Sequence, residues 1–313
     1  MNITQRRLGR RRPFRIVVPA LCLVAAVSGC SVRQYAASSI GDALAEGGGV
    51  YASDNDIEFV GAAIPFGLKT MESLLETVPE HRGLLLAATR GFTQYAYVYV
   101  QMPADELEAH DVEAAYAMRA RARRLYLRAR DYGLRGLHLS RADAQRLLFT
   151  DPRKALAATT VEDAPLLYWT AASWGAAISL GKDSPSLLAG LPSVGALIDR
   201  AAELDPDWDH GTLQTFLISF EMSRPDAAAD AEHRARAHFA RAVALSDGKQ
   251  AAPYVSLAES VAAPRGDRRE FNALLAKALR VDPDERTEWR LANLVMQRRA
   301  HWLLARADEL FPE

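Results

Sequence analysis

The sequence predicts an all-α fold, a solenoid of stacked helical hairpins resembling tetratricopeptide repeats. Three observations carry that expectation. From Asp54 onward apolar residues recur with helical spacing, and no sustained apolar–polar alternation marks a strand. Pro79, Pro103, Pro152, Pro165, Pro192, Pro206, Pro225, Pro264 and Pro283 mostly fall between the periodic segments, where a missing N–H does least harm. The ends of alternate helices also share a pattern. Ile198-x-x-Ala201-x-x-Leu204-Asp205-Pro206 matches Phe239-x-x-Ala242-x-x-Leu245-Ser246-Asp247, and Leu275-x-x-Ala278-x-x-Val281-Asp282-Pro283 matches both.

The N-terminus reads as a targeting leader. Arg6, Arg7, Arg10, Arg11, Arg12 and Arg15 form a basic region without an acid, and the apolar stretch 16–27 is shorter than a membrane span of about 20 residues. Val27-Ser28-Gly29-Cys30 then reads like the lipobox of bacterial lipoprotein precursors. The expected organisation is a lipoprotein signal peptide over 1–29, a lipidated tether with a short helix over 30–50, and one helical domain over 51–313. The expected location is the periplasm, with acyl chains on Cys30 holding the chain at a membrane. Ser31 fits the outer membrane. Either export route, general secretory or twin-arginine, is compatible with the leader.

Cleavage would change the arithmetic of the 313 residues. The leader holds six of the 38 basic residues and none of the 39 acidic ones, so the remaining 284 residues carry 32 against 39, a net charge of −7. Cys22 leaves with the leader and Cys30 is committed to lipid, which removes thiol catalysis and thiolate metal sites from consideration. An exported acidic chain is also a poor partner for nucleic acid.

The elements follow in order. Gly47-Gly48-Gly49 reads as a flexible hinge, since a phosphate loop would need a following Gly-Lys-Ser/Thr and an upstream strand. Helices are expected over about 54–78, 83–101, 104–110, 112–135, 165–180, 193–204, 209–222, 230–245, 251–262, 268–280 and 286–310. In the last, Leu291, Leu294, Val295 and Trp302 form an apolar stripe, with Arg290, Gln297, Arg299 and Arg306 facing elsewhere. A weaker copy of the repeat pattern, Ala122-x-x-x-Tyr126-x-x-Ala129, runs into Gly133. The reference alanines 129, 201, 242 and 278 are spaced by 72, 41 and 36 residues, against an ideal period of about 34. At each, a small residue lets paired helices approach and Asp-Pro stops the helix.

Catalytic motifs are absent: no His-Glu-x-x-His, no Gly-x-Ser-x-Gly, and no dinucleotide fingerprint after a strand. His233 and His238, five apart, diverge around a helix and read as a solvated face. The run Asp205-Pro-Asp207-Trp-Asp209-His-Gly211 alternates acids like a calcium loop, but Phe216 stands where the closing glutamate belongs. An inter-repeat turn with an N-capping aspartate accounts for it better. Arg119, Arg121, Arg123, Arg124, Arg128 and Arg130 crowd one helix, with Glu106, Glu108, Asp111, Glu113 and Asp131 nearby. That pattern describes a salt-bridged surface, the alternative being an anion or acidic-partner patch.

Two aromatic runs stand out, Tyr95-Ala96-Tyr97-Val98-Tyr99 and Tyr168-Trp169-Thr170-Ala171-Ala172-Ser173-Trp174. Trp169 and Trp174 cannot share one narrow stripe, so one is expected inside and the other against a cavity or partner. Core packing and a ligand wall both remain open for these rings.

The stretches 91–97 (GFTQYAY), 166–175 (LLYWTAASWG), 216–225 (FLISFEMSRP) and 288–300 (EWRLANLVMQRRA) resemble signature blocks of the TatT component family associated with TRAP transporters. The resemblance spans essentially the whole mature chain. It implies a periplasmic lipoprotein of cryptic tetratricopeptide helices and a homotrimer with a hydrophobic pore or groove. It further implies a non-enzymatic role beside the periplasmic solute-binding component, with small organic acids or hydrophobic molecules as ligands and no cofactor. The poor first repeat is a departure from the pattern. Tyr95, Tyr168, Trp169, Trp174, Phe216 and Phe220 are the candidate ligand-path residues, read from the aromatic blocks. The alternative is a scaffold lipoprotein for envelope assembly with no ligand path.

Overall fold

A computed structural model describes residues 17–224 and 230–312, with side chains from Val32 onward. The basic leader residues, the Cys30 side chain with its acylation, and the boundary at Pro225 therefore lie outside the described part of the chain. Every regular element among the described residues is helical.

Helix α1 (Val17–Glu46) runs into α2 (Gly48–Ala52), followed by α3 (Ile57–Thr77) and α4 (Arg82–Ala96). A π turn, Tyr97–Gln101, joins α4 to α5 (Met102–Leu107), and the long α6 (Val112–Ser140) follows. Then come α7 (Ala144–Thr150), α8 (Pro152–Leu156), α9 (Ala164–Ser179), α10 (Pro185–Leu188), α11 (Leu191–Leu204) and α12 (Trp208–Glu221). The C-terminal part holds α13 (Ala231–Leu245), α14 (Ala252–Leu257) with a second π turn Ala258–Ala262, α15 (Arg268–Leu279), α16 (Arg290–Ala305) and α17 (Ala307–Leu310). No described helix is long and apolar enough to cross a membrane.

Local chemistry fixes the starts. The carboxylates of Asp56, Asp111, Asp151 and Asp267 accept from Phe59, Ala114, Lys154 and Glu270 N–H at 2.8, 2.9, 3.1 and 2.8 Å, closing donors that a first turn leaves open. Packing then follows the repeat. Ala129, Ala201, Ala242 and Ala278 are all fully buried, on α6, α11, α13 and α15. Around them α4 packs on α6, α6 on α9, α9 on α11, and α12 on α13.

Several sequence expectations change. Gly47–Gly49 are no flexible hinge, because α2 starts at Gly48 and packs on α16. Three short helices, α7, α8 and α10, fall in stretches with no expected helix. The expected helix 286–310 breaks into the 3₁₀ turn Thr287–Trp289, α16 and α17. The buried face of α16 is Asn293, Val295, Ala300 and Leu303, while Leu291, Leu294 and Trp302 are half-buried. Arg299 does not face solvent (11% exposed), and Gln297 donates to the Val281 carbonyl at 2.7 Å.

The solenoid does not stay open. Helix α16 returns to pack on α2 and α3, so the two ends of the chain meet. Arg290 donates to the Ser53 carbonyl at 2.8 Å, and Arg298 pairs with Glu58 at 3.3 Å and Glu106 at 3.0 Å.

Candidate functional site

The candidate residues divide into one cluster and two outliers. Tyr168, on α9, is buried with its ring centroid 5.0 Å from Trp169, 4.6 Å from Trp208 and 5.9 Å from Phe216. Phe216 and Phe220, one turn apart on α12, stack at 5.6 Å. Tyr168 and Phe220 form the buried floor, whereas Trp169, Trp208 and Phe216 are only half-buried and make a rim. Burial pushes the Tyr168 phenol far above its ordinary value, and the nearby charge of Asp209 adds to the effect. This is a wall for apolar or aromatic matter, with centroid spacings typical of favourable ring pairs.

Trp174 does not join it. The indole is buried edge-on to Phe149 at 5.5 Å, and Arg130 lies over its ring at 5.4 Å. Gly190 makes room for it, since a Cβ there would stand 2.5 Å from its Nε1. Of the two tryptophans, Trp174 is inside and Trp169 keeps an exposed edge. Tyr95 is also elsewhere, 5.5 Å from Tyr99, with Arg121 donating to its hydroxyl at 3.4 Å. Tyr99 donates to the Ile57 carbonyl at 2.9 Å, and its burial pushes the phenol up to about 12.

The polar expectations change in detail. Arg119 forks onto Asp105 at 2.9 Å and Glu108 at 2.6 Å, and Arg130 pairs with Asp131 at 2.7 Å, as a salt-bridged surface would. Glu106 instead serves Arg298, and Asp111 caps α6. A shallow groove of about 400 Å³ remains on this face, lined by Arg124, Leu127, Arg128, Asp131, Tyr132 and Arg135. His238 is no solvated residue: its Nδ1 lies 2.7 Å from Gln214 Oε1, and burial lowers its pKa.

Asp207 does not cap α12; it accepts from Arg241 at 2.6 Å. No group of three His, Cys, Asp or Glu able to hold a metal occurs among the described residues. Instead Asp209, His210 and Gly211 are left-handed in succession, with φ of 51°, 53° and 96°. For Asp and His this costs roughly 1–2 kcal/mol each. Gly211 is required there, since a Cβ would meet Ala242 Cα at 3.0 Å. The turn carries the His210 ring to 5.4 Å from Trp289. Sequence reading missed Trp208 as a member of the ring cluster and Trp289 as the partner of His210. The only local signal was the crowded Asp-Trp-Asp-His-Gly run.

A family model described as TRAP transporter T-component matches residues 53–311. The chain belongs to that family. An uncharacterized protein of Treponema pallidum (strain Nichols) is 29% identical over 310 residues, spanning 93% of this chain and 95% of that relative. The T-component match begins at the end of α2 and contains every ring of the aromatic cluster. Membership makes the chain a component of a TRAP transporter, an accessory to transport, and agrees with the resemblance read from its signature stretches.

Proposed function

We propose that this T-component is a membrane-anchored periplasmic lipoprotein that binds the transporter's solute-binding protein and passes it a small organic or hydrophobic ligand. The observation that carries the reading is the continuous ring contact Trp169–Tyr168–Trp208 and Tyr168–Phe216–Phe220, floored inside the fold and rimmed at its surface. Acyl chains on Cys30 would hold the protein at the outer membrane, each buried CH₂ contributing about 0.8 kcal/mol. Assembly as a homotrimer belongs to the same reading.

The test uses the full-length precursor expressed with its leader. Cys30→Ala is expected to move the protein from the membrane to the soluble fraction. Immobilised lipoprotein is expected to retain the solute-binding component of its own transporter. The paired change Trp169→Ala, Phe216→Ala should abolish uptake of labelled solute while leaving that retention intact. Retention and uptake both unchanged in the double variant would favour the scaffold without a ligand path.

A further inference from the structure

The arginines of α6 divide by the side of the helix they occupy. Arg119, Arg123 and Arg130 are half-buried, and each pairs with an acid: Asp105, Asp183 and Asp131 at 2.9, 3.7 and 2.7 Å. Arg121, Arg124, Arg128 and Arg135 are exposed, and their spacing by three, four and seven residues puts them on one ridge. At 1.5 Å per residue that ridge is about 21 Å long. Among the described residues no carboxylate lies within 4.0 Å of Arg121, Arg124 or Arg135. Arg128 reaches Glu72 at 3.5 Å, a carboxylate that Lys69 and Tyr132 already hold at 2.6 and 2.8 Å. The one acid on the ridge, Asp131, is taken by Arg130. Rings position the cations without neutralising them: Arg121 lies over Tyr95 at 5.9 Å, Arg128 over Phe92 and Arg135 over Tyr132, both at 5.4 Å. Three of the four guanidiniums line the groove of about 400 Å³, with Leu127 between them.

Such a row in a chain with more acids than bases suits an anionic surface outside the molecule. The path of α1 says which surface. Helices α1 and α4 run in the same direction. The Ser38 carbonyl lies 3.2 Å from His81 Nε2, Ala45 faces Gly83, and Gly48, just past α1, faces Arg90. Helix α6 runs the opposite way: Arg121 meets Tyr95 near the end of α4, and Arg135 donates to the Pro79 carbonyl, at 3.1 Å, ahead of its start. The Arg135 end of the ridge and the upstream part of α1 therefore emerge at the same end of the fold. Residue 30 precedes Ser38 by eight residues of α1, about 12 Å of helix.

We propose that the 121–135 ridge of α6 is a second membrane contact, docking on the phosphates of anionic phospholipid headgroups. The inference rests on the lipoprotein reading, because acyl chains on Cys30 are what bring a leaflet to this end of the fold. Acyl chains alone hold the protein at the leaflet and leave its orientation free. The ridge decides which side lies down, each guanidinium presenting a planar fork to phosphate. The acids elsewhere on the molecule do not cancel this attraction, since charges more than about 8 Å away are screened at physiological salt. An arginine held close to an anionic leaflet strengthens partitioning about fivefold.

Vesicle sedimentation tests this with the mature chain from residue 30, carrying Cys30→Ala so that no acyl chain contributes. At low salt it should bind vesicles made half of phosphatidylglycerol and not vesicles of phosphatidylcholine alone, and high salt should release it. Arg121→Gln, Arg124→Gln and Arg135→Gln together should weaken binding roughly 100-fold with an unchanged circular dichroism spectrum. Should that variant fail to fold, Arg124→Gln alone should lose about fivefold. Removing three exposed charges at α15 instead, by Arg269→Gln, Lys277→Gln and Arg280→Gln, should weaken it less than about threefold. No binding to the anionic vesicles, or equal losses from the two triple variants, overturns the proposal. So does a ridge variant that keeps vesicle binding but is no longer retained by the solute-binding component, which would make the ridge the seat of an acidic protein. Fractionation of cells expressing the wild-type precursor keeps the two ideas apart. Wild type at the membrane with an unacylated form indifferent to anionic vesicles overturns this inference alone, and wild type in the soluble fraction overturns the lipoprotein reading.

Discussion

Glu221, 3% exposed, accepts from Arg224 at 2.8 Å and from Arg234 at 2.6 Å, and Arg224 also reaches Asp199 and lies 4.7 Å over the Phe220 ring. One carboxylate thus binds α11, α12 and α13 beneath the aromatic floor. Glu221→Gln should cost about 3 kcal/mol, because it leaves two guanidiniums sharing a neutral amide, and a denaturant titration would read it. His238 packs beside this network. Gln214 donates to the Pro206 carbonyl at 2.6 Å, so its Oε1 faces His238 and the neutral ring carries its proton on Nδ1. Burial is the main cause of the lowered His238 pKa. Arg224 and Arg234 act in the same direction, and Glu221 and Asp199 oppose it. The unfolded chain therefore takes up the proton first. Stability from this group is whole above the ordinary value of 6.5 and is lost as pH falls below it. Melting temperatures measured from pH 7.5 down to 5 should fall in wild type and lose part of that slope in His238→Gln. His238 read as solvated in the sequence because its partner, Gln214, lies on another helix.

At the scale of elements the small residues decide how closely helices meet. Gly133 on α6 faces α9 so tightly that a Cβ would come 2.1 Å from Thr170 Oγ1, and that hydroxyl is already committed to the Leu166 carbonyl at 2.6 Å. Gly133→Ala should cost about 1–3 kcal/mol by overpacking. Adding Thr170→Ala should recover part of it, which paired thermal melts would detect as non-additivity. These contacts were legible in outline: the alanines at 129, 201, 242 and 278 follow a spacing, and all are buried. Elements without such a code were not. Helices α7, α8 and α10 have 7, 5 and 4 residues, too few for a periodicity to develop. Gly47–Gly49 looked like a hinge because Gly48 is small for the sake of Arg90, 42 positions later in the chain. The aromatic cluster was half-legible for the same reason. Tyr168–Trp169 and Phe216–Phe220 are local runs, whereas Trp208 joins them only through the packing of α12 against α9.

At the scale of the molecule, closure depends on one arginine more than on its neighbour. Arg299 on α16 reaches Asp105, just past the first π turn, at 3.0 Å and Glu259, within the second, at 2.7 Å, and its guanidinium lies 4.3 Å over Trp302. A π turn adds a residue to a helical turn and re-aims the helix beyond it. Here the two turns aim acids from the N-terminal and C-terminal halves at a common cation. The same site pushes the Tyr97 phenol up, chiefly by burial and then by Glu259. Arg298 also reaches two carboxylates, Glu58 at 3.3 Å and Glu106 at 3.0 Å, but its side chain is 44% exposed, where solvent screens the gain. Arg299→Met should therefore cost about 3 kcal/mol by leaving Glu259 without its guanidinium and Asp105 with Arg119 alone, and Arg298→Met less than about 1 kcal/mol. Hydrogen exchange separates closure from simple destabilisation. In Arg299→Met, amides of α2, α3 and α16 should exchange faster while those of α9 and α11 keep their relative protection. Uniform loss across all five helices would mean that the contact between the chain ends is inseparable from the stability of the whole solenoid.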